Sequence, residues 1–402
     1  MSETMPTADA TATDTLPTIV LKPREERRLR AGHLWIFSNE IASIEGDPVR
    51  GSLVRVTASR GILMGTGIFN PGSLIAVRLT SREETPLDAA WFSDRIQRAL
   101  RLREKLYPGA TSYRLLHSES DGVPGVIADR FDQVIAVQIA AAGMDERREL
   151  LYDALMEIPG VEGVVERNDH PLRALEGLPE RVAVVRGTAE PQTISDGLLR
   201  YQVDPLGGQK TGFYLDQREN RHALRRFMPG ARVLDLYTNT GGFALHARHA
   251  GAGEIIAVDS SEVALRIAVA NMDLNGLDDI RFRLDDAFAT LQEMVAGGEK
   301  FDLVIADPPP FARSKKHVAA ARKKYVELFT LSLQSLAPEG IAFLATCSHH
   351  ITRDTFMEMI RESLSRAKRE GMILEERGAS ADHPVHPMMP ETGYLHGVIV
   401  KG

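Results

Sequence analysis

Apolar and polar positions follow two different periodicities along the C-terminal half of the chain. From about residue 200, short apolar runs bounded by polar turns predict β-strands at 232–236, 254–258, 280–284, 301–306 and 341–345. Between and after them, apolar residues recur at helical spacing over 242–249, 262–274, 319–336 and 352–369. Apolar strands that alternate with amphipathic helices predict an α/β fold, a doubly wound parallel sheet with helices on both faces.

The N-terminal half has shorter and less regular elements. Apolar stretches separated by turns rich in Gly, Asn and Pro predict strands at 52–57, 62–68 and 74–79. The following segment is mixed, with predicted helices at 87–106 and 145–158 and predicted strands at 134–139 and 182–185. We therefore expect four regions: a tail at 1–17, a small β module at 18–86, a central α/β domain at 87–195 and the doubly wound domain at 196–402.

The terminal segment and the single cysteine limit the class of protein. Residues 1–17 contain no Lys or Arg, so we expect a disordered tail on a cytoplasmic protein rather than a secretory or mitochondrial leader. No apolar run is long enough to span a bilayer, so we expect no membrane partner. A lone Cys347 excludes an intrachain disulfide and a multi-cysteine metal site, and the twelve histidines lack HExxH spacing. We expect no bound metal.

The distribution of charge bears on nucleic acid as a partner. The net charge of −7 argues against a generally basic surface of the kind that phosphate binding favours. One span, 308–326, nevertheless holds six basic residues and no acid. Such a run is typical of a solvated helix face, and its position beside a predicted pocket, described below, gives it a second interpretation as a phosphate-binding rim.

The turn after the first strand of the doubly wound domain is the first candidate ligand site, because ligands of open α/β sheets bind beyond the carboxyl ends of the strands. Residues 235–243 read DLYTNTGGF, where the two glycines permit a tight turn and close approach of a ligand. The pattern is neither GxGxxG nor a P-loop, which argues against a dinucleotide or a nucleoside triphosphate. The candidate cofactor contacts in this turn are Asp235, Thr240, Gly241, Gly242 and Phe243.

Carboxylates also follow the next two strands. Asp259 ends the second strand, where an acidic side chain can accept hydrogen bonds from ribose hydroxyls. Asp286 follows the third strand and could accept from an adenine amino group, although a carboxylate at that place is also a common helix N-cap. Carboxylates at successive strand ends predict adenosine binding.

The fourth strand runs into Asp307 and three prolines. Consecutive prolines restrict φ and remove N–H donors, so the loop is stiff and holds its carboxylate outward. A planar base bearing an amino group could hydrogen-bond to Asp307, with phosphates neutralised by the basic run that follows. The candidate substrate contacts are Pro308, Pro309, Phe311, Arg313, Lys315 and Lys316. The alternative is a rigid strand exit without a ligand.

The fifth strand ends at Cys347, next to the predicted base site. A lone cysteine is usually a small buried hydrophobe. C5 of cytosine is a poor nucleophile, but a thiolate that adds to C6 makes C5 enamine-like and able to attack a methyl sulfonium. Cys347 is therefore the candidate catalytic nucleophile, with Asp307 as a second candidate catalytic residue. The following His349 and His350 could act as a base, partner the thiolate or simply pack in the fold.

Several longer stretches resemble one family, the large-subunit ribosomal RNA methyltransferase I enzymes. The most specific is GQKTGFYLDQRENR at 208–221; others are RAGHLWIFS at 30–38, FNPGSLIAVR at 69–78, LLHSESDG at 115–122, VERND at 165–169, ADHPV at 381–385 and GYLHG at 393–397. The resemblance implies a PUA domain, an RNA-binding β barrel, then a central α/β domain and a seven-stranded class I methyltransferase sheet with a reversed terminal hairpin. It also implies methylation of cytosine C5 in 23S ribosomal RNA.

The resemblance also implies roles for individual residues. S-adenosylmethionine contacts fall on Asp235, Gly241, Asp259, Asp286 and Asp307, and the nucleophile falls on Cys347. Thr238 and Asn239 depart from the family's usual Cys or Ser followed by Tyr. We expect large-subunit ribosomal RNA as the partner, a base extruded from the RNA stack, and a homodimer as a candidate assembly.

Three other functions remain open at this point. An exocyclic-amine N-methyltransferase would use Asp307, Pro308 and Pro309 without the cysteine. A ribosome-assembly factor would bind S-adenosylmethionine without turnover. A nicotinamide-dependent oxidoreductase is the most distant, because the glycine fingerprint of dinucleotide binding is lacking.

Overall fold

The computed structural model describes residues 16–208, 211–312 and 314–402, so most of the expected tail at 1–17 lies outside the described residues. Three larger sheets and one hairpin follow one another along the chain. Within the described residues, no helix combines the length and the apolar character that crossing a membrane requires.

The first sheet has six strands in the order β2-β6-β5-β4-β1-β3. Its elements are β1 (Thr18–Leu21), α1 (Glu26–Arg30), β2 (Trp35–Phe37), β3 (Ile41–Glu45), β4 (Leu53–Thr57), β5 (Leu63–Phe69) and β6 (Ile75–Ser81). Alternate residues of its strands, such as Val54, Val56 and Val77, are buried in a core of their own. Polar contacts join it to the next part of the chain, among them a hydrogen bond of 2.7 Å from Trp35 Nε1 to Glu119 Oε1.

The central sheet has five strands in the order β11-β10-β9-β8-β7. Its elements are α2 (Ala89–Leu106), β7 (Ser112–His117), β8 (Val126–Phe131), β9 (Val134–Ile139), α3 (Ala142–Asp145), α4 (Arg148–Met156), β10 (Gly163–Asn168), α5 (Leu172–Leu175) and β11 (Arg181–Gly187). The helix predicted at 145–158 corresponds to α4, which begins three residues later and ends two residues earlier than predicted. The short helix α3 packs on β5 through Gly143, where a Cβ would lie 2.5 Å from Ile68, whereas α4 packs on α2.

A short hairpin leads into the C-terminal sheet. It consists of β12 (Gln192–Ser195) and β13 (Arg200–Val203), paired antiparallel. Ile194, Leu199 and Tyr201 are buried in the same core as one face of the C-terminal sheet. The hairpin therefore packs with the C-terminal sheet, and the domain limit expected between residues 195 and 196 falls inside it.

The C-terminal sheet has seven strands in the order β16-β15-β14-β17-β18-β20-β19. Its elements are α6 (Arg218–Leu224), β14 (Arg232–Leu236), α7 (Gly242–His249), β15 (Glu254–Asp259), α8 (Glu262–Leu274), β16 (Arg281–Leu284), α9 (Ala287–Ala296), β17 (Phe301–Ala306), α10 (Val318–Gln334), β18 (Leu336–Thr346), α11 (Arg353–Ala367), β19 (Met372–Arg377) and β20 (His396–Lys401). Strands β14 to β18 are parallel, whereas β20 runs antiparallel to β18 and β19. Apolar cores cover both faces, which confirms the predicted doubly wound fold with a reversed terminal hairpin.

Candidate active site

The carboxyl edge of the C-terminal sheet collects the residues that the sequence predicted. Asp235, Asp259 and Asp286 lie at or just after the ends of β14, β15 and β16, and Asp307 and Cys347 follow β17 and β18. Because these five strands are parallel neighbours, all five side chains start from one edge of the sheet.

Asp235 is a buried carboxylate with half of its hydrogen-bonding capacity used. Its Oδ2 accepts hydrogen bonds from Thr238 Oγ1 at 2.6 Å and from the main-chain N–H of Ala244 at 3.0 Å. Its Oδ1 is buried without a hydrogen-bond partner among the described residues. Burial raises the pKa of Asp235 to about 7, although the two hydrogen bonds lower it. The negative charges of Asp307 and Asp259 contribute to the rise. A ligand that carries a donor or a positive charge would fit beside this group.

The turn after β14 requires unusual backbone conformations. Gly241 has a φ of +86°, and a Cβ there would lie 3.2 Å from the side chain of Ala268. A Cβ on Gly242 would lie 3.2 Å from Arg221, so the turn packs directly on the end of the 208–221 stretch. Tyr237 and Asn239 also have positive φ, at 62° and 50°. Such strain in a strand-to-helix turn is typical of a functional site.

Thr240 and Phe243 of this turn differ in where their side chains lie. Thr240 is half-buried, and its carbonyl accepts a hydrogen bond of 3.1 Å from Asn271 Nδ2. Phe243 points its ring into the core, 5.7 Å from the ring of Phe343. A cofactor bound at this turn would therefore meet the main chain at Phe243 rather than its ring.

Asp259 and Asp286 both bind main-chain amides. Asp259 Oδ2 accepts from the N–H of Asn239, and its Oδ1 accepts from the N–H of Ser261, both at 2.9 Å. Asp286 is the N-cap of α9 and accepts from the N–H of Ala289 at 3.0 Å. The helix-capping interpretation of Asp286 therefore describes one of its functions, and an adenine contact would use its remaining acceptor positions.

Asp307 and Cys347 come together at the ends of two adjacent strands. Cys347 Sγ lies 3.7 Å from the carbonyl oxygen of Pro308, and Asp307 Oδ2 accepts a hydrogen bond of 2.9 Å from Gln217 Nε2. Pro308 is buried and Pro309 is exposed, while Asp307 and Cys347 are half-buried. The thiol and the carboxylate therefore flank one loop at the sheet edge.

Tyr325 on α10 joins the two loops, and nothing in the sequence pattern indicated this. Its hydroxyl lies 2.8 Å from Ser348 Oγ, directly after the cysteine, and accepts from the N–H of Phe311 at 3.3 Å. Its ring packs on the ring of Phe311 at 4.6 Å. The N–H of Ala312 also donates to Ser348 Oγ at 3.4 Å. These contacts hold the proline loop and the cysteine loop in fixed relation.

The predicted basic rim is described only in part. Arg313 and the side chain of Lys315 lie outside the described residues, and Lys316 is exposed. Further along the same run, Lys324 Nζ lies 5.9 Å from the ring centroid of Phe311. The rim therefore stays a prediction, with one of its lysines next to the proline loop.

One group of described residues has metal-like spacing. Asp196, His222 and His246 bring their ligand atoms within 4.8 Å of one another. Asp196 Oδ2 already accepts from His246 Nε2 at 2.7 Å and from Tyr201 Oη at 3.1 Å, and Oδ1 accepts from two main-chain N–H groups. The Arg221 guanidinium lies 3.9 Å from the same carboxylate. Since a cation would displace these donors and face a fixed positive charge, we interpret the group as a structural hydrogen-bond cluster.

Two models of known protein families match this chain. A PUA-like domain model matches residues 19–82, the region of the first sheet. A model of S-adenosylmethionine-dependent methyltransferases matches residues 184–372, which include β12, β13 and β14 to β18. Both matches confirm what the sequence resemblance implied for these regions.

Curated relatives match almost the whole chain. A ribosomal RNA large subunit methyltransferase I from Aeromonas salmonicida is 38% identical over 389 residues, covering 95% of this chain and 98% of the relative. A protein of the same name from Tolumonas auensis is 36% identical over 392 residues, covering 96% and 99%.

Two solved structures share the fold over nearly the full length. One, assigned as a methyltransferase and complexed with SAH, has a TM-score of 0.84 at 21% identity and covers 96% of this chain and 100% of its own. The second, from Streptococcus mutans and assigned as a SAM-dependent methyltransferase, has a TM-score of 0.82 at 21% identity with the same coverage. At this identity the likeness concerns the fold.

Proposed function

Because this chain belongs to the ribosomal RNA large subunit methyltransferase I family, we propose that it methylates C5 of a cytosine in 23S ribosomal RNA through a Cys347 adduct. The relatives' names give the large-subunit RNA as their substrate. We further propose that the enzyme acts in the cytoplasm. A homodimer stays a prediction.

The residues of the sheet edge fit S-adenosylmethionine, the cofactor of the family. When bound, this cofactor supplies a methyl group on a positively charged sulfonium. We assign its binding to the turn after β14 and to Asp235, Asp259 and Asp286. The buried Oδ1 of Asp235, which has no hydrogen-bond partner among the described residues, supports this assignment, since it offers an acceptor and a negative charge to a cationic ligand.

The chemistry at the base would start with Cys347. Its thiolate adds to C6 of the cytosine, which gives C5 the character of an enamine carbon. C5 then takes the methyl group, a base removes the C5 proton, and the sulfur–C6 bond breaks to return the thiolate. Asp307 would accept a hydrogen bond from the exocyclic amino group and so hold the ring in position. The observation that carries the proposal is the approach of Cys347 Sγ to Pro308, the residue after Asp307, at 3.7 Å.

The second candidate function is methylation of an exocyclic amine. The hydrogen bond that Asp307 accepts from Gln217 favours it as much as the first, because an outward carboxylate can also polarise an amino group. Such an enzyme would not need Cys347.

Labelled methyl transfer to unmodified large-subunit RNA, followed by nucleoside analysis, separates the candidates. We expect labelled 5-methylcytidine from the wild type, and a loss of about 10³-fold or more in Cys347→Ala. S-adenosylmethionine binding should be unchanged in this variant, which controls for folding. A labelled N-methyl nucleoside, or full activity in Cys347→Ala, would refute the thiolate mechanism. Cofactor binding without any transfer would favour an assembly factor.

A further inference from the structure

A buried glutamine lies against the carboxylate of Asp307. Gln217 Nε2 donates to Asp307 Oδ2 at 2.9 Å, and Gln217 is only 2% exposed. The glutamine stands in the short 3-10 turn Leu215–Gln217 that precedes α6. Because the amide is buried, water cannot readily replace it as the donor to Asp307.

The contact continues through two more side chains to the far edge of the sheet. Asn220 Nδ2 donates to Gln217 Oε1 at 2.6 Å and to the carbonyl of Gly378 at 3.0 Å. Arg377 Nε, at the end of β19, donates to Asn220 Oδ1 at 2.9 Å. Asn220 is 1% exposed. A hydrogen-bond relay therefore runs from Arg377 through Asn220 and Gln217 to Asp307.

The ends of this relay fix its direction. An arginine can only donate hydrogen bonds, so Asn220 must present its oxygen to Arg377 and its NH₂ group to Gln217. Gln217 must then receive that NH₂ with its oxygen, which leaves its own NH₂ for Asp307. Neither amide can flip without placing two donors or two acceptors against each other. The carboxylate is thus held as an acceptor.

We infer that Gln217 is a positioning residue for methyl transfer, which Asn220 and Arg377 orient so that Asp307 faces the base as an ionised hydrogen-bond acceptor. This inference rests on the proposed function only for the role of Asp307 toward the base. It gives Gln217 of the 208–221 stretch a functional role, and it makes the orientation of Asp307 depend on an arginine of the terminal hairpin.

Gln217→Glu is the most informative variant, because it keeps the shape and replaces the donor by a second carboxylate. Two carboxylates at hydrogen-bond distance share one proton, so at low pH the protonated acid can still donate to Asp307. At high pH both groups are ionised and repel. We therefore expect kcat of Gln217→Glu to approach the wild-type value at low pH and to fall about tenfold or more as the pH rises. A merely structural role would lower activity without this new pH dependence.

Matched variants complete the experiment. Gln217→Met, which has no donor, should lower kcat about tenfold or more at every pH, with the KM for S-adenosylmethionine unchanged. Arg377→Met should act in the same direction with a smaller effect. Gln192→Glu makes the same substitution in the hairpin, where the amide donates to the carbonyl of Glu190 at 2.7 Å, and should leave the pH profile unchanged. Thermal melting confirms that each variant is folded.

The readout is total methyl label transferred, with the nucleoside identified separately. If Gln217→Glu keeps the wild-type pH profile, the relay has no positioning role and the inference is wrong. If the new pH dependence is present but the product is not 5-methylcytidine, the relay stands and the proposed target atom fails. The two failures are therefore distinguishable.

Discussion

The protonation of Asp235 should make the affinity for S-adenosylmethionine depend on pH. Its pKa of about 7 means that about half of the ligand-free molecules carry a protonated Asp235 at pH 7. A positive charge within a few ångströms lowers a carboxyl pKa by about 1–3 units. With a shift of about two units, the apparent Kd for S-adenosylmethionine should fall about tenfold between pH 6 and pH 8, and about half a proton should be released at pH 7. The direction follows because the bound state favours the ionised group.

Isothermal titration calorimetry at pH 6, 7 and 8, in buffers with different ionisation enthalpies, measures both quantities. Asp235→Asn is the control, because an asparagine at this position cannot titrate. The amino group of the cofactor titrates in the same way with both proteins, so its contribution cancels when their affinities are compared. We expect the wild type to gain about tenfold more affinity than the variant over this range. Equal pH dependence in the two proteins would refute the assignment of Asp235 to the cofactor site.

Three further substitutions test the loop contacts of Tyr325, the turn at Gly241 and the burial of His246. Tyr325→Phe removes the hydroxyl that joins the two active-site loops. In steady-state assays it should lower kcat about 3- to 30-fold and leave the KM for S-adenosylmethionine unchanged. An unchanged kcat would show that the loops do not need this hydroxyl. Gly241→Ala places a Cβ at a φ of +86°, 3.2 Å from Ala268. It should lower the free energy of unfolding by about 1–2 kcal/mol and weaken cofactor binding. Melting and binding curves equal to those of the wild type would contradict this. Burial lowers the pKa of His246 below its usual value despite its hydrogen bond to Asp196. As the pH falls below the ordinary histidine pKa of about 6.5, the unfolded chain therefore binds more protons than the folded chain, and this group should weaken folding. Denaturation of His246→Gln at pH 7 and 5 should lack this contribution, and identical pH dependence would argue against it.

The regular elements of the sheet were predictable because their signals are local. The strands Arg232–Leu236 and Phe301–Ala306 and the helices Gly242–His249 and Glu262–Leu274 have the predicted bounds. Each has an apolar period of its own, and the turns between them contain glycine, proline or a capping side chain.

Long-range contacts account for what the sequence did not indicate. Gln217 meets Asp307 across 90 residues, and Asn220 meets Arg377 across 157, because the strand order brings the terminal hairpin beside α6. Tyr325 lies in the helix predicted at 319–336, and helical periodicity does not indicate the partner of its hydroxyl. Such partners depend on which strands become neighbours, and a single sequence contains no local signal for that.

Phe243 and the start of the helix predicted at 145–158 illustrate the same limit. An aromatic residue after a glycine turn can face a ligand or the core, and packing against Phe343 decided for the core. The helix predicted from residue 145 begins instead at Arg148, after the separate short helix α3 that packs on β5.

Trapping the adduct of Cys347 on RNA tests the thiolate mechanism. In RNA with 5-fluorocytidine in place of cytidine, Cys347 can add to C6 and the methyl group can pass to C5, but no C5 proton remains for a base to remove. Elimination of the thiolate is then blocked. We predict a complex between wild-type protein and this RNA that survives denaturing electrophoresis, requires S-adenosylmethionine and is missing with Cys347→Ala. No such complex from an active wild-type enzyme, or an equal amount with Cys347→Ala, would contradict the thiolate mechanism.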